Sequence, residues 1–220
     1  SKGYPVQQGS VIYCGILAGE FTRKAHYQPL QRLLWVGRLA EDKDPLTAVR
    51  ALACLQNQGE PIPELHLYGR GEEAYVEKLK EVVQAEGLED RVTFTSTTPE
   101  GMRSLYSQYD ALLFTSNWGE PFALTPLEAM ASGLPVIMCP DGGDAELLRD
   151  GENALTFAAG NPESLAHAIL RFKSLPDEGE ALANTAFEEV HARFDMPVIV
   201  DQIEAFLTES LPERSKPEST

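Results

Sequence analysis

Two carboxylates with seven residues between them, Glu120 and Glu128, stand in the run Thr115-Ser116-Asn117-Trp118-Gly119-Glu120-Pro121-Phe122-Ala123-Leu124-Thr125-Pro126-Leu127-Glu128. With Glu120 in a loop and Glu128 little more than two turns further on in a helix, both are expected to face one cleft. Carboxylates accept hydrogen bonds from sugar hydroxyls. The amides of Phe122, Ala123, Leu124 and Thr125 at the helix start, just after Pro121, can hold phosphate or sugar oxygens. The plainer alternative is a solvent-facing pair on an amphipathic helix. Against it, Leu127-Glu128-Ala129-Met130-Ala131 sets Glu128 in an apolar stretch, where an ionised group is costly unless it has a partner.

A second candidate is Gly37-Arg38-Leu39-Ala40-Glu41-Asp42-Lys43, with two cations five positions apart just ahead of a helix start. A pyrophosphate would find there two charges, a flexible Gly and the positive end of a helix dipole. The alternative is that Arg38 and Lys43 are surface charges paired with Glu41 or Asp42. Gly69-Arg70-Gly71 lets a backbone pass close to a ligand, and the same pattern is frequent as a plain turn. Cys139-Pro140-Asp141-Gly142-Gly143-Asp144 reads as a turn with a helix cap, and Glu146 as a cleft residue or first-turn decoration. None of His26, His66, His167 and His191 lies beside a Ser or Cys in a nucleophile-like setting. Cys14, Cys54 and Cys139 are scattered, with no C-x-x-C pair, and read as packed thiols in a reducing cytoplasm.

The elements that must position these residues alternate. Branched and aromatic segments at 33–36, 65–68, 92–94, 111–114, 135–138 and 154–157 read as strands, and helically spaced segments separate them. That alternation predicts an α/β fold, a doubly wound parallel sheet of Rossmann-like type, with ligand bound beyond the carboxyl ends of the strands. Asp44 as cap and Pro45 at the first helical position open one helix, with Leu46, Val49 and Leu52 facing inward. A second helix spans about 72–86 and stops at Gly87, and a third runs over about 99–109. Others are expected to begin near Pro121 to Thr125, at Asp144, at Asn161-Pro162, near Glu178 and at Met196-Pro197. The division expected is a lead-in over 1–29, a Rossmann-like domain over 30–175, helices over 176–210 and a disordered tail over 211–220.

Composition sets limits on partners. The 220 residues carry a net charge of −16, which repels polyanions and argues against nucleic-acid binding by a general basic surface, so any phosphate site must be local. The longest apolar runs, such as 111–114 and 134–138, are far shorter than the roughly 20 residues of a membrane-spanning helix. The opening Ser1-Lys2-Gly3-Tyr4-Pro5 lacks the succession of a secretory signal, so a cytoplasmic location is expected.

From Glu120 to Glu128 and on through Ala129-Met130-Ala131-Ser132-Gly133-Leu134-Pro135-Val136-Ile137, the sequence resembles the retaining glycosyltransferases of GT-B architecture, the large family 4 or "group 1" type. Gly37-Arg38-Leu39 with Lys43 matches that family's diphosphate clamp, and the likeness spans about 11–175. The resemblance implies the C-terminal, donor-binding half of a two-domain enzyme that moves a sugar from a nucleoside-diphosphate donor to an acceptor hydroxyl. By it, Arg38 and Lys43 neutralise the diphosphate, Glu128 bonds the ribose, and Glu120 faces the donor sugar as the catalytic residue. The amides of Phe122 to Thr125, next to Pro121, hold sugar and phosphate, and the loops at Gly37, Gly69 and Ser96 border the nucleotide. The family generally needs no metal and no further cofactor, and retention needs no enzymic nucleophile. The acceptor is expected on a preceding domain, and membrane association of a full-length enzyme stays open. Asp44, Ala123 and Ser96 stand where the family often has Gly, and Cys14 and Leu17 replace its usual Asn and Asp. The alternatives are a nucleotide-sugar epimerase of the same architecture and a non-catalytic domain that binds a nucleotide or a protein partner.

Overall fold

A computed structural model describes residues 9–174 and 176–210; the expected tail over 211–220 lies outside the described residues, as do the first eight of the lead-in. The strands are β1 Arg32–Val36, β2 Glu64–Tyr68, β3 Val92–Thr95, β4 Ala111–Phe114, β5 Val136–Met138 and β6 Leu155–Thr156. They form one six-stranded sheet in the order β3-β2-β1-β4-β5-β6, every pair parallel. The chain reverses its direction of travel across the sheet between β1 and β4, where loops from the two halves diverge and leave a crevice.

The alternation of side chains along each strand divides the apolar residues into two cores. Leu33, Trp35, Leu65, Leu67, Leu113 and Ile137 point to one face. It is covered by α1 Pro45–Asn57, α2 Glu73–Ala85 and α5 Pro162–Ser174. Leu34, Leu112, Phe114, Val136 and Met138 point to the other. There α3 Pro99–Leu105, α4 Leu124–Ala131 and α6 Pro176–Arg193 pack, with Ala186, Val190 and Phe194 as part of the core. The stretch after Lys173 is thus a layer of the sheet domain. The last helix, α7 Met196–Ser210, buries Ile199 against Gly15 but exposes Val200, Ile203 and Leu207 along one side.

Two local expectations are revised. The helix expected at Asp144 is a single 3-10 turn over Gly142–Glu146, because the Gly142-Gly143 backbone is committed elsewhere: Gly143 N–H donates to the Glu120 carbonyl at 2.8 Å. The third helix breaks after Leu105 into a 3-10 turn over Tyr106–Gln108.

The lead-in does not hang free. Ile16 N–H donates to the Phe194 carbonyl (2.9 Å) and Met196 N–H to the Ile16 carbonyl (2.7 Å), so the lead-in and the start of α7 cross as a two-strand joint. Tyr13 and Phe194 flank Phe122 there, with ring centroids 5.1 and 5.7 Å from it. Further along, Lys24 is buried and donates to the Tyr109 carbonyl at 2.6 Å, and burial pushes its ammonium pKa down.

The start of α1 needs an unusual residue. Asp44 is the only non-glycine in left-handed backbone among the described residues, at φ 48°. Asp and Asn tolerate this region because a short polar side chain bonds locally. Here the carboxylate accepts from Thr47 N–H (3.1 Å), Thr47 Oγ1–H (2.6 Å) and Asn117 Nδ2–H (2.9 Å). Asp44→Ala removes the cap while keeping the strained backbone, so a loss of about 2 kcal/mol is expected by urea unfolding. Asp44→Asn, which keeps both the cap and the backbone tolerance, should lose less than half of that.

Candidate functional site

The loops leaving β1 and β2 continue the sheet beyond its strands. Gly37 N–H donates to the Tyr68 carbonyl (3.1 Å), Leu39 N–H to that of Arg70 (2.9 Å) and Gly69 N–H to that of Thr95 (3.0 Å). This is why Gly69-Arg70-Gly71 carries its glycines. A Cβ at Gly69 would stand 1.8 Å from the Gly37 carbonyl oxygen, and one at Gly71 2.0 Å from that of Leu39. The backbone that passes close is the neighbouring loop, which makes the three loops one platform.

Above the platform lies a cleft of about 580 Å³ whose walls include Gly37, Tyr68, Gly69, Arg70, Ser96, Met102 and Glu128. It straddles the carboxyl ends of β1 to β3 and the flank of α4, at the reversal of strand order. Four of the expected site residues, Gly37, Gly69, Ser96 and Glu128, therefore meet. Glu128 is half-buried. It accepts from the Tyr106 hydroxyl at Oε2 (2.6 Å), and Oε1 has no hydrogen-bond partner among the described residues. Burial holds its pKa above the ordinary carboxylate value, and the Tyr106 bond offsets part of that rise.

Glu120 lies outside the walls of that cleft. Its carboxylate accepts from Ser116 Oγ–H (2.9 Å) and pairs with Lys43. Lys43 also stands 3.9 Å from Asp42, whose carboxylate takes Arg38 Nη2–H at 2.8 Å. Both readings of the first loop thus have support: the cations converge beside a helix start, and in this state acidic neighbours hold them. Arg38, 64% exposed, lines an adjoining groove with Arg70, Tyr75 and Lys78.

The remaining expected residues form the connection between β4 and α4. Pro121 is exposed and its carbonyl abuts Gly143; Phe122 sits in the Tyr13–Phe194 aromatic group. Ala123 is the residue before the first turn of α4, where its own side chain offers no cap, and Leu124 is exposed with Thr125 half-buried beside it. Gly119 N–H donates to Asp141 at 2.9 Å, tying this loop to the one after β5. Glu146 bonds the Tyr13 hydroxyl. No cluster of three or more His, Cys, Asp or Glu able to hold a metal ion occurs among the described residues.

Two contributors escaped the sequence reading. Tyr106 sits in an apolar helical stripe and looks like core until its hydroxyl is placed on Glu128. Arg70 reads as the middle of a turn until the platform aims it into the cleft wall.

A wound parallel sheet with a cleft at its reversal point, a carboxylate on one wall and a helix start nearby is a Rossmann-like arrangement, and its solved neighbours are GT-B glycosyltransferases. The family model for glycosyl transferases group 1 matches residues 20–189, and the chain belongs to that family. It is 32% identical to the exopolysaccharide phosphotransferase of Streptomyces coelicolor, over 82% of this chain and 19% of that one. It is 30% identical to the amylovoran biosynthesis glycosyltransferase AmsK of Erwinia amylovora, over 94% of this chain and 52% of that one. Among solved structures, HepE of Anabaena in complex with UDP and glucose superposes with a TM-score of 0.82 at 27% identity, covering 92% of this chain and 57% of that one. The chain thus spans about half or less of these relatives. No helix among the described residues is long and apolar enough to cross a membrane.

The environment of Glu128 makes a prediction. A carboxyl with its pKa raised on folding binds more protons in the native than in the unfolded state between the two pKa values, so its contribution to stability falls as pH rises through that window. Glu128→Gln removes this dependence. Urea midpoints of the variant should gain on those of the parent chain as pH climbs from acidic toward neutral; parallel curves would show that Glu128 is not strained by burial.

Proposed function

We propose that this chain is the donor-binding domain of a retaining glycosyltransferase, holding a nucleoside-diphosphate sugar across the β1–β4 crevice. The observation that carries this is the Glu128 carboxylate, presented to the cleft with Oε1 unbonded. Two adjacent ribose hydroxyls donate to such a carboxylate, while the Ser96 and Gly69 loops border the base. The diphosphate lies between the Gly37–Lys43 loop and the first turn of α4, where cations and helix amides favour phosphate. That HepE was solved with UDP and glucose supports the ligand class.

Binding then exchanges partners. The diphosphate displaces Asp42 from Arg38 and Glu120 from Lys43, and the released Glu120 turns toward the donor sugar. Charge on the departing diphosphate is stabilised by Arg38, Lys43 and the amides of Phe122 to Thr125. In transfer with retention, the bond from the anomeric carbon to the diphosphate oxygen breaks, and the acceptor oxygen attaches on the same face. The acceptor's proton passes to the leaving phosphate, so no nucleophilic side chain is required. The acceptor is held by the portion of the relatives that this chain does not cover, against the apolar side of α7 formed by Val200, Ile203 and Leu207.

Calorimetric titration with UDP, UDP-glucose and other nucleoside diphosphates in EDTA tests the reading. Arg38→Ala or Lys43→Ala should each cost on the order of 1.5 to 3 kcal/mol of diphosphate affinity. Unchanged affinity in both variants overturns the clamp. Glu120→Gln should spare UDP and weaken the nucleotide sugar, whereas Glu128→Gln should weaken both. Because reaction needs donor and acceptor in register, the 220-residue chain should bind donor yet transfer no sugar until joined to its acceptor-binding half.

A further inference from the structure

Tyr106 is a fully buried ionisable residue to which the proposed donor chemistry assigns no part. Its ring packs in the core on the α4 face of the sheet, 6.0 Å between centroids from Phe21, and its backbone opens the 3-10 turn that interrupts α3. Its hydroxyl reaches Glu128 Oε2 at 2.6 Å, between residues twenty-two positions apart. A phenol has one proton to give. Burial and the neighbouring carboxylate hold the Tyr106 hydroxyl in its protonated form, so it acts as donor and Glu128 as acceptor.

That bond has two effects on the cleft. A carboxylate on a flexible side chain samples several rotamers, and one strong anchor at Oε2 leaves Oε1 as the oxygen directed to the ligand. The donated hydrogen bond also favours the ionised carboxylate against the burial that opposes it. The charged groups from other elements that share the cleft wall with Glu128 are Glu20, Arg70 and Arg103. Arg103 is held by Glu20 at 2.7 Å, which leaves Tyr106 as the direct hydrogen-bond partner of Glu128.

We propose that Tyr106 is a positioning residue, whose hydroxyl fixes the Glu128 carboxylate so that its free oxygen meets the vicinal hydroxyls of a nucleoside ribose. This rests on the reading of Glu128 as the ribose ligand, and the experiment separates the two. Tyr106→Phe keeps the ring and deletes only the proton donor. The full chain, Tyr106→Phe and Glu128→Gln are titrated with UDP, its 2′,3′-dideoxy analogue and inorganic pyrophosphate. The titrations are repeated from acidic to alkaline pH, because losing the donated bond moves the Glu128 carboxyl pKa further up and its ionised fraction then grows with pH.

Tyr106→Phe should bind UDP about tenfold more weakly near neutrality, recovering part of the loss at the upper end of the range as Glu128 ionises without help. Pyrophosphate should bind parent and variant alike, and the dideoxy analogue should not distinguish them. A purely structural role for the hydroxyl predicts otherwise: UDP and pyrophosphate weaken together, with no pH recovery. That result, or unchanged UDP binding, overturns the proposal. Should Glu128→Gln bind UDP as tightly as the parent, the ribose reading itself fails, whatever Tyr106→Phe does. Should Tyr106→Phe not fold, the Glu128 carboxyl is followed by ¹³C NMR in the parent chain. A Glu128 carbon signal that moves with UDP but not with pyrophosphate or the dideoxy analogue, together with a Tyr106 hydroxyl proton protected from exchange, upholds the proposal. An unmoved carbon signal or an unprotected hydroxyl overturns it.

Discussion

Much of the molecule's geometry depends on one hydroxyl. Thr115, at the end of β4, accepts the buried Trp35 indole N–H at 2.8 Å and stands 2.8 Å from the Asp44 carbonyl and 3.0 Å from that of Lys43. Trp35 belongs to β1 and Asp44 caps α1, so three elements that converge at the strand-order reversal share a single buried polar atom. Buried groups of this kind are costly unless every one is satisfied, which leaves little freedom in their relative placement. The two residues that follow extend the joint. Ser116 Oγ stands 3.1 Å from the Asp42 carbonyl, and Asn117 N–H donates to the same carbonyl at 3.3 Å. The loop with the cations and the loop with Glu120 are thereby held edge to edge before any ligand arrives.

The strands and most helix starts were legible because their signals are local: runs of branched residues, Asp44-Pro45 ahead of a helix, Gly87 behind one at φ 66°. The candidate site was legible in residue type but not in grouping. Glu120 and Glu128 share a short stretch of sequence, yet one is drawn to Lys43 and the other to Tyr106, and no spacing rule contains either partner. Ile199 belongs to the same lesson. Helical spacing aligns it with Ile203 and Leu207, but the absence of a side chain at Gly15 lets the lead-in close over it alone. Asp44 in the place of a more usual Gly looked like a departure, and its side chain supplies bonds to Thr47 and Asn117 that a Gly would lack.

For a chain of net charge −16, the anion site proposed above is an electrostatic exception, and its construction reflects that. The cations of the first loop sit beside Asp42 and Glu120, so the group as a whole carries little net charge of its own. A diphosphate bound there as proposed competes with carboxylates already in place, which favours ligands of higher charge density over stray monoanions.

The crossing of the lead-in with the start of α7 is narrow: a few backbone hydrogen bonds around Ile16, with Phe122, Tyr13 and Phe194 in mutual ring contact. Both covalent paths out of the sheet domain pass through it, so the two flanking segments share one backbone anchor. The ring that this anchor brings in from the sheet side, Phe122, lies two residues after Glu120 in the β4–α4 connection. The placement of both flanks and of the segment that begins with Glu120 is therefore decided at a single joint.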